Sequence, residues 1–172
     1  PGRYTVRLRV FDNVELSSEA CGDATATFVA SVDGAGRLQV QLVWRTPDDV
    51  PGADLDLQVV HPLAGEPPAA ELICDADNAT PDWGAEGPAN DPVLDVDDVE
   101  GGGPENIVIE SPQLAADVGG PYRLRVRYVA DAVGVRPVVA TVRVFAAGAL
   151  LDERSSAIEG PGDLWEVGTL PW

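Results

Sequence analysis

The chain has no lysine and no methionine, a single histidine, His61, and two cysteines, Cys21 and Cys74, among its 172 residues. Each scarcity removes a class of chemistry. His61 is followed by Pro62, and there is neither a Gly-x-Ser-x-Gly elbow nor a Cys–His neighbour pair, so no catalytic residues are expected from the nucleophile-and-base logic. Two cysteines and one histidine cannot complete a four-ligand zinc site. No run of eighteen apolar residues occurs, so no helix of this segment is expected to enter a membrane. Paired carboxylates of a glycosidase are not indicated either, because acids are too plentiful for any one pair to count as a motif. The chain opens Pro1-Gly2 inside an alternating pattern and shows no leader, which reads as a segment of a longer precursor.

What is abundant is acid. Twenty-nine Asp and Glu face eleven Arg, for a net charge of −18. The excess is not spread evenly: from Thr46 to Tyr122 there are 18 acids and no base, while the flanks carry 11 acids and 11 arginines. Such a block repels nucleic acid and anionic lipid. It leaves two readings, a solvated acidic face or a site for a cation.

Period-two alternation runs through most of the chain and helical periodicity through almost none of it. Tyr4, Val6, Leu8 and Val10 alternate with arginines and Thr5, and Ala24 to Ser31 reads as the partner strand. Leu38 to Trp44, Leu55 to Val59, Tyr122 to Tyr128 and Val138 to Phe145 alternate in the same way, with shorter runs at 71–74, 106–110, 149–153 and 164–170. Gly and Pro punctuate the junctions. The expected fold class is all-β, an antiparallel β-sandwich or jelly roll of about ten strands. The stretch from Asp75 to Gly103 shows neither period and is expected to form a long acidic loop, with Trp83 either pinning it to the core or stacking on a sugar.

The acids suggest calcium. Asp54 and Asp56 are two apart on a strand, which puts both carboxylates on one face about 7 Å apart. Asp95, Asp97 and Asp98 lead into Gly101-Gly102-Gly103 and Glu105, where glycines would let backbone carbonyls turn toward an ion. Hard oxygen donors in irregular array suit calcium. Asp75-Ala-Asp77-Asn78 begins like an EF-hand loop, but Ala79, Thr80 and Pro81 break the match. If the chain is exported, Cys21 and Cys74 are expected to form a disulfide closing a loop that stabilises the fold by about 4 kcal/mol.

Several blocks in order, Leu38 to Trp44, Ala53-Asp-Leu-Asp-Leu-Gln-Val-Val-His-Pro62, Leu94-Asp-Val-Asp-Asp-Val-Glu-Gly-Gly-Gly-Pro-Glu-Asn-Ile107, Tyr122 to Tyr128 and Ala140 to Phe145, resemble the YfaP-like domain of bacterial secreted proteins. The resemblance covers residues 37–172 and implies an exported β-sandwich. Gly102 departs from the pattern, standing where an aromatic is common, and the loop from Asp75 to Asn90 is longer than in short members. Residues 1–31 are similar to the closing strands of a PKD-type or other immunoglobulin-like module, through Pro1-Gly-Arg-Tyr-Thr-Val-Arg-Leu-Arg-Val-Phe-Asp12. The function expected from all of this is a non-catalytic extracellular structural or adhesive module of a bacterial surface, stabilised by calcium. Its partners would be other protein modules or copies of itself. A fibre subunit assembling by strand addition and a carbohydrate-binding jelly roll are the alternatives.

Overall fold

The structure is a computed structural model that describes residues 2–8, 24–30, 36–47, 50–84, 87–99 and 101–172, with backbone alone for the first two stretches. The chain divides into two compact units, Pro1–Asp33 and Gly34–Trp172. In the first, β1 (Gly2–Leu8) and β2 (Ala24–Ala30) form an antiparallel two-stranded sheet in which Tyr4 stands opposite Phe28.

Among the described residues the second unit is a sandwich of nine strands in two antiparallel sheets. In chain order they are β3 (Leu38–Arg45), β4 (Ala53–Val60), β5 (Ile73–Cys74), β6 (Pro92–Val96), β7 (Glu105–Ile109), β8 (Tyr122–Asp131), β9 (Val138–Ala146), β10 (Ala149–Ile158) and β11 (Leu164–Leu170). One sheet has the order β10-β9-β3-β7-β6 and the other β11-β8-β4-β5. The alternation that marks the strands in the sequence also builds the core. Leu38, Val40, Leu42 and Trp44 of β3 and Val138, Ala140, Val142 and Val144 of β9 turn inward to meet Leu55, Leu57 and Val59 of β4 and Tyr122, Leu124, Val126 and Tyr128 of β8. Packing two such faces is what makes a sandwich stable. Trp44 also donates its indole N–H to the Ala53 carbonyl at 3.0 Å, which fixes the start of β4.

Three stretches depart from the expectation. The acidic stretch from Asp75 to Gly103 is not strandless, because β6 lies within it and pairs with β7. Pro-Val-Leu-Asp-Val hides this strand. It is an edge strand with Val93 and Val96 exposed, and a bulge between Leu94 and Val96 admits Asp95 as an extra residue, which breaks the period. Its proline is the first residue of an edge strand, where the missing N–H is tolerated. The run at 71–74 is strand only at Ile73–Cys74, since Ala70–Leu72 is a 3-10 turn. β10 extends to Ile158, past Glu153, because an edge strand exposed along most of its length needs no apolar alternation.

Candidate cation site

β4 is paired unequally on its two sides. β8 runs along its length, from Ala53 opposite Asp131 to Val60 opposite Arg123, whereas β5 covers only Val59 and Val60. The Leu57 N–H lies beyond that short pairing and would be a buried donor without an acceptor. Glu105, the first residue of β7 in the other sheet, supplies one: its Oε2 accepts from Leu57 N at 2.7 Å. Glu105 is 1% exposed, and its other oxygen, Oε1, meets no N–H or O–H donor among the described residues.

Two further carboxylates converge on it. One oxygen each from Asp56 on β4, Asp97 after β6 and Glu105 lie within 4.8 Å of one another. Asp56 is buried and Asp97 exposed, so the cluster reaches the surface at the edge of β4 that β5 leaves uncovered. Burial pushes the Glu105 carboxyl up to about 9 against the pull of the Leu57 N–H, and the neighbouring Asp56 and Asp97 add to the rise. The Asp97 carboxyl is close enough to share a proton with it. Asp54 is raised to about 6 by burial first and then by Asp56 and Asp97, and its Oδ1 is likewise buried without a partner among the described residues. Asp56 is raised by burial, with Arg127 opposing. Carboxylate oxygens that converge in this way are the donor type taken by hard divalent cations.

The remaining expected ligands have other places. Asp98 staples the glycine turn, its Oδ1 accepting from Gly101 N at 2.8 Å and its Oδ2 from Gly103 N at 3.0 Å. The glycines serve packing rather than coordination, because the Gly102 carbonyl accepts from Trp44 N at 2.9 Å. A Cβ on Gly102 would come within 2.9 Å of the Trp44 carbonyl oxygen, and one on Gly103, at φ 83°, within 2.7 Å of that of Leu42. No aromatic fits at residue 102. Asp95, the bulge residue, lies away from the cluster in a shallow recess with Arg37, Asp91 and Glu110.

The acidic block also has counter-charges that linear distance hides. The β8 arginines face it: Arg123 pairs with Glu66, and Arg127 holds Asp56 Oδ2 through NH2 at 2.6 Å and Nε at 3.2 Å. The signal for Arg127 was its alternation with core residues on β8, but the register that sets it opposite Asp56 is a tertiary fact. Asp56 and Gln58, which alternate with Leu55, Leu57 and Val59, are therefore covered as well. Gln58 donates to Asp75 Oδ2 at 2.7 Å.

Trp83 is 6% exposed, stacked on Tyr122 at 5.8 Å with the His61 ring edge-on at 5.0 Å. It pins its loop to the core, and the indole face needed for sugar stacking is covered. His61 is buried, accepts from Leu63 N at 3.2 Å through Nδ1 and has its pKa lowered by burial, as suits a structural histidine. Cys74 is fully buried and forms no disulfide among the described residues, and burial lifts its thiol pKa to about 12. Its expected partner Cys21 lies outside the described residues. Comparison with protein-family models, with curated proteins and with solved structures finds no match to this chain.

Proposed function

We propose that this chain is a non-catalytic structural or adhesive module of an exported bacterial surface or secreted protein, held rigid by calcium between its two sheets. The observation that carries the reading is Glu105. A carboxyl group 1% exposed, with one oxygen that meets no donor among the described residues and two aspartates beside it, is expensive to ionise in a β-sandwich unless an ion completes it. An ion shared by Asp56, Asp97 and Glu105, with Asp54 adjacent, would tie β4 of one sheet to the β6–β7 pair of the other. The resemblance of residues 37–172 to the YfaP-like pattern agrees with export, and a Cys21–Cys74 bond, checked by non-reducing mass spectrometry, would agree with it further. Thermal unfolding in chelator and in millimolar calcium tests the reading. An ion that binds only the folded state must raise Tm by mass action, by several degrees once its concentration is well above Kd. Superimposable melting curves, with no heat of calcium binding, would refute it and leave a solvated acidic face.

A second reading, assembly by strand addition, is favoured by the β1–β2 sheet. Two strands forming a unit of their own, Pro1–Asp33, are marginal in water unless something covers them. That cover would be the chain's own sandwich, a neighbouring module or a second copy of the chain, and the last of these is assembly. Deleting residues 1–33 should abolish any polymer. A polymer that persists would place assembly on another surface.

A further inference from the structure

The cluster contains its own competitor for a cation. The Arg127 guanidinium holds Asp56 Oδ2 with two bonds, and its NH2 is also 3.2 Å from Asp77 Oδ2. Asp56 is almost wholly buried, whereas the Asp77 side chain is 80% exposed and is not one of the three converging carboxylates. The guanidinium therefore stands between two seats, one inside the cluster and one at its rim. Asp56 presents the ladder geometry for this: it is directly opposite Arg127 in the β4–β8 pairing, so the side chain does not have to reach.

Two charge facts bear on the inner seat. The cluster holds three carboxylates against one arginine, and with Arg127 in place Glu105 Oε1 and Asp54 Oδ1 are still buried with no donor among the described residues. One positive charge thus satisfies Asp56 and leaves the rest of the site open. A divalent ion entering beside a fixed guanidinium would be repelled by it, and in a partly buried site such repulsion amounts to tenfold or more in affinity. The outer seat removes that obstacle, because Arg127 can give up Asp56 without losing a carboxylate partner.

We propose that Arg127 is a tethered counter-ion that competes with the divalent cation for Asp56. Binding of the ion transfers the guanidinium to Asp77, and Arg127 thereby sets the concentration at which the site fills. The inference rests on the calcium reading above and adds selectivity to it. Exchanging a guanidinium for sodium or potassium replaces one single charge by another and gains nothing, so only a divalent ion displaces it with profit in charge. The empty site is also kept from flying apart, since Asp56 is never left facing its neighbours without a cation.

Calcium titration calorimetry on metal-free protein tests this, comparing the wild-type chain with Arg127→Gln and Arg127→Lys. Removal of the competitor should tighten calcium binding about tenfold in Arg127→Gln. Arg127→Lys, which keeps the charge but loses the two-pronged grip, should lie between. Wild-type protein supplies a readout that needs no variant to fold: the Arg127 Nε–H resonance, held by Asp56 in chelator, should move on calcium saturation and not on addition of equal ionic strength as potassium chloride. Calcium binding with unchanged or weaker affinity in Arg127→Gln, or an unmoved Nε–H signal, would overturn the competitor while leaving the calcium site standing. Absence of calcium binding in wild type and variants alike would overturn both.

Discussion

Glu105 and Asp131 are both acids whose side chains are closed off from water at an end of a strand, and their chemistry is opposite. Asp131 ends β8, and each of its oxygens is used: Oδ2 accepts from Arg136 Nε at 2.6 Å and from the Tyr128 hydroxyl at 2.8 Å, and Oδ1 from Val133 N at 2.9 Å. Burial alone would raise its pKa, but Arg136, the Val133 N–H and the Tyr128 hydroxyl outweigh it and hold the carboxyl at about 2. Glu105 has one donor, Leu57 N–H, and two acids for company, and stands at about 9. Burial thus does not decide the state of a carboxylate; the donors supplied with it do. Asp131 draws its partners from residues 128 to 136, the end of β8 and the loop that crosses to β9 in the other sheet, so one local stretch of chain completes it. Glu105 depends on β4 and on the segment after β6, and the chain brings it more acids than donors. A completed carboxylate holds a fold together, while an incomplete one leaves work for a ligand.

The strongest way to break the contrast is to make Asp131 resemble Glu105. Arg136→Ala removes the guanidinium, leaves a carboxylate with 0% side-chain exposure short of its main partner, and also frees the Pro51 carbonyl. The Tyr128 hydroxyl and the Val133 N–H stay on Asp131, so the loss expected is that of a charge-assisted hydrogen-bonded pair, about 2.5 kcal/mol, read as a lower denaturant midpoint. An unchanged midpoint would mean that water already completes Asp131.

The converse change sharpens the contrast. Glu105→Gln keeps an acceptor for Leu57 N–H and removes the ionisable group, so in chelator at neutral pH it should stabilise the chain by about 2 kcal/mol and abolish the calcium response. The pH dependence carries the sign. Asp131, with its pKa depressed to about 2, contributes stability that is present above the ordinary carboxylate range and lost as pH falls from about 4 toward 2. Glu105 is raised from 4.5 to about 9 and Asp54 from 3.8 to about 6, so the folded chain binds more protons than the unfolded one between these limits. Metal-free protein should therefore grow more stable as pH falls from 9 to about 4.5, and lose stability below about 4. Melting temperatures in chelator across this range check it. A wild-type profile that is flat above pH 5, or a Glu105→Gln profile as steep as the wild type, would count against the buried pair.

Much of the sandwich was legible because period two is a local signal, and β3, β4, β8 and β9 carry it with one face apolar and the other not. β6 was illegible because an edge strand with a bulge has no reason to alternate. For the site, the charge block singled out Asp54, Asp56, Asp97 and Glu105, but Asp95 was grouped with them by proximity in sequence, and the bulge residue lies elsewhere. The burial of Glu105 has a trace in the sequence, just ahead of the run that starts at Asn106. Glu105 is two before Ile107 and four before Ile109, so the period itself turns its side chain to the core. Arg127 could not be found from spacing. Nothing in a sequence fixes which strand will lie beside which.

The smallest expected effect isolates a single donor of the completed carboxylate. Tyr128 is fully buried, its hydroxyl bonded to Asp131 Oδ2 and 3.2 Å from the Arg136 carbonyl oxygen, and burial first and the Asp131 carboxylate next raise its pKa to about 12. It donates at every pH at which the fold persists. Tyr128→Phe keeps the ring in the core and removes only the hydroxyl, while Arg136 and Val133 N–H remain on Asp131. The cost is that of one hydrogen bond to a charged acceptor already well supplied, about 1 kcal/mol, or about 3 °C in Tm for a chain of this size. The acid limb should shift with it. With one donor fewer, the Asp131 pKa rises, and the loss of stability on acidification begins at a higher pH than in the wild type. Equal melting temperatures together with an unshifted acid limb would show that the hydroxyl contributes nothing to Asp131, and that Arg136 and the Val133 N–H alone separate it from Glu105.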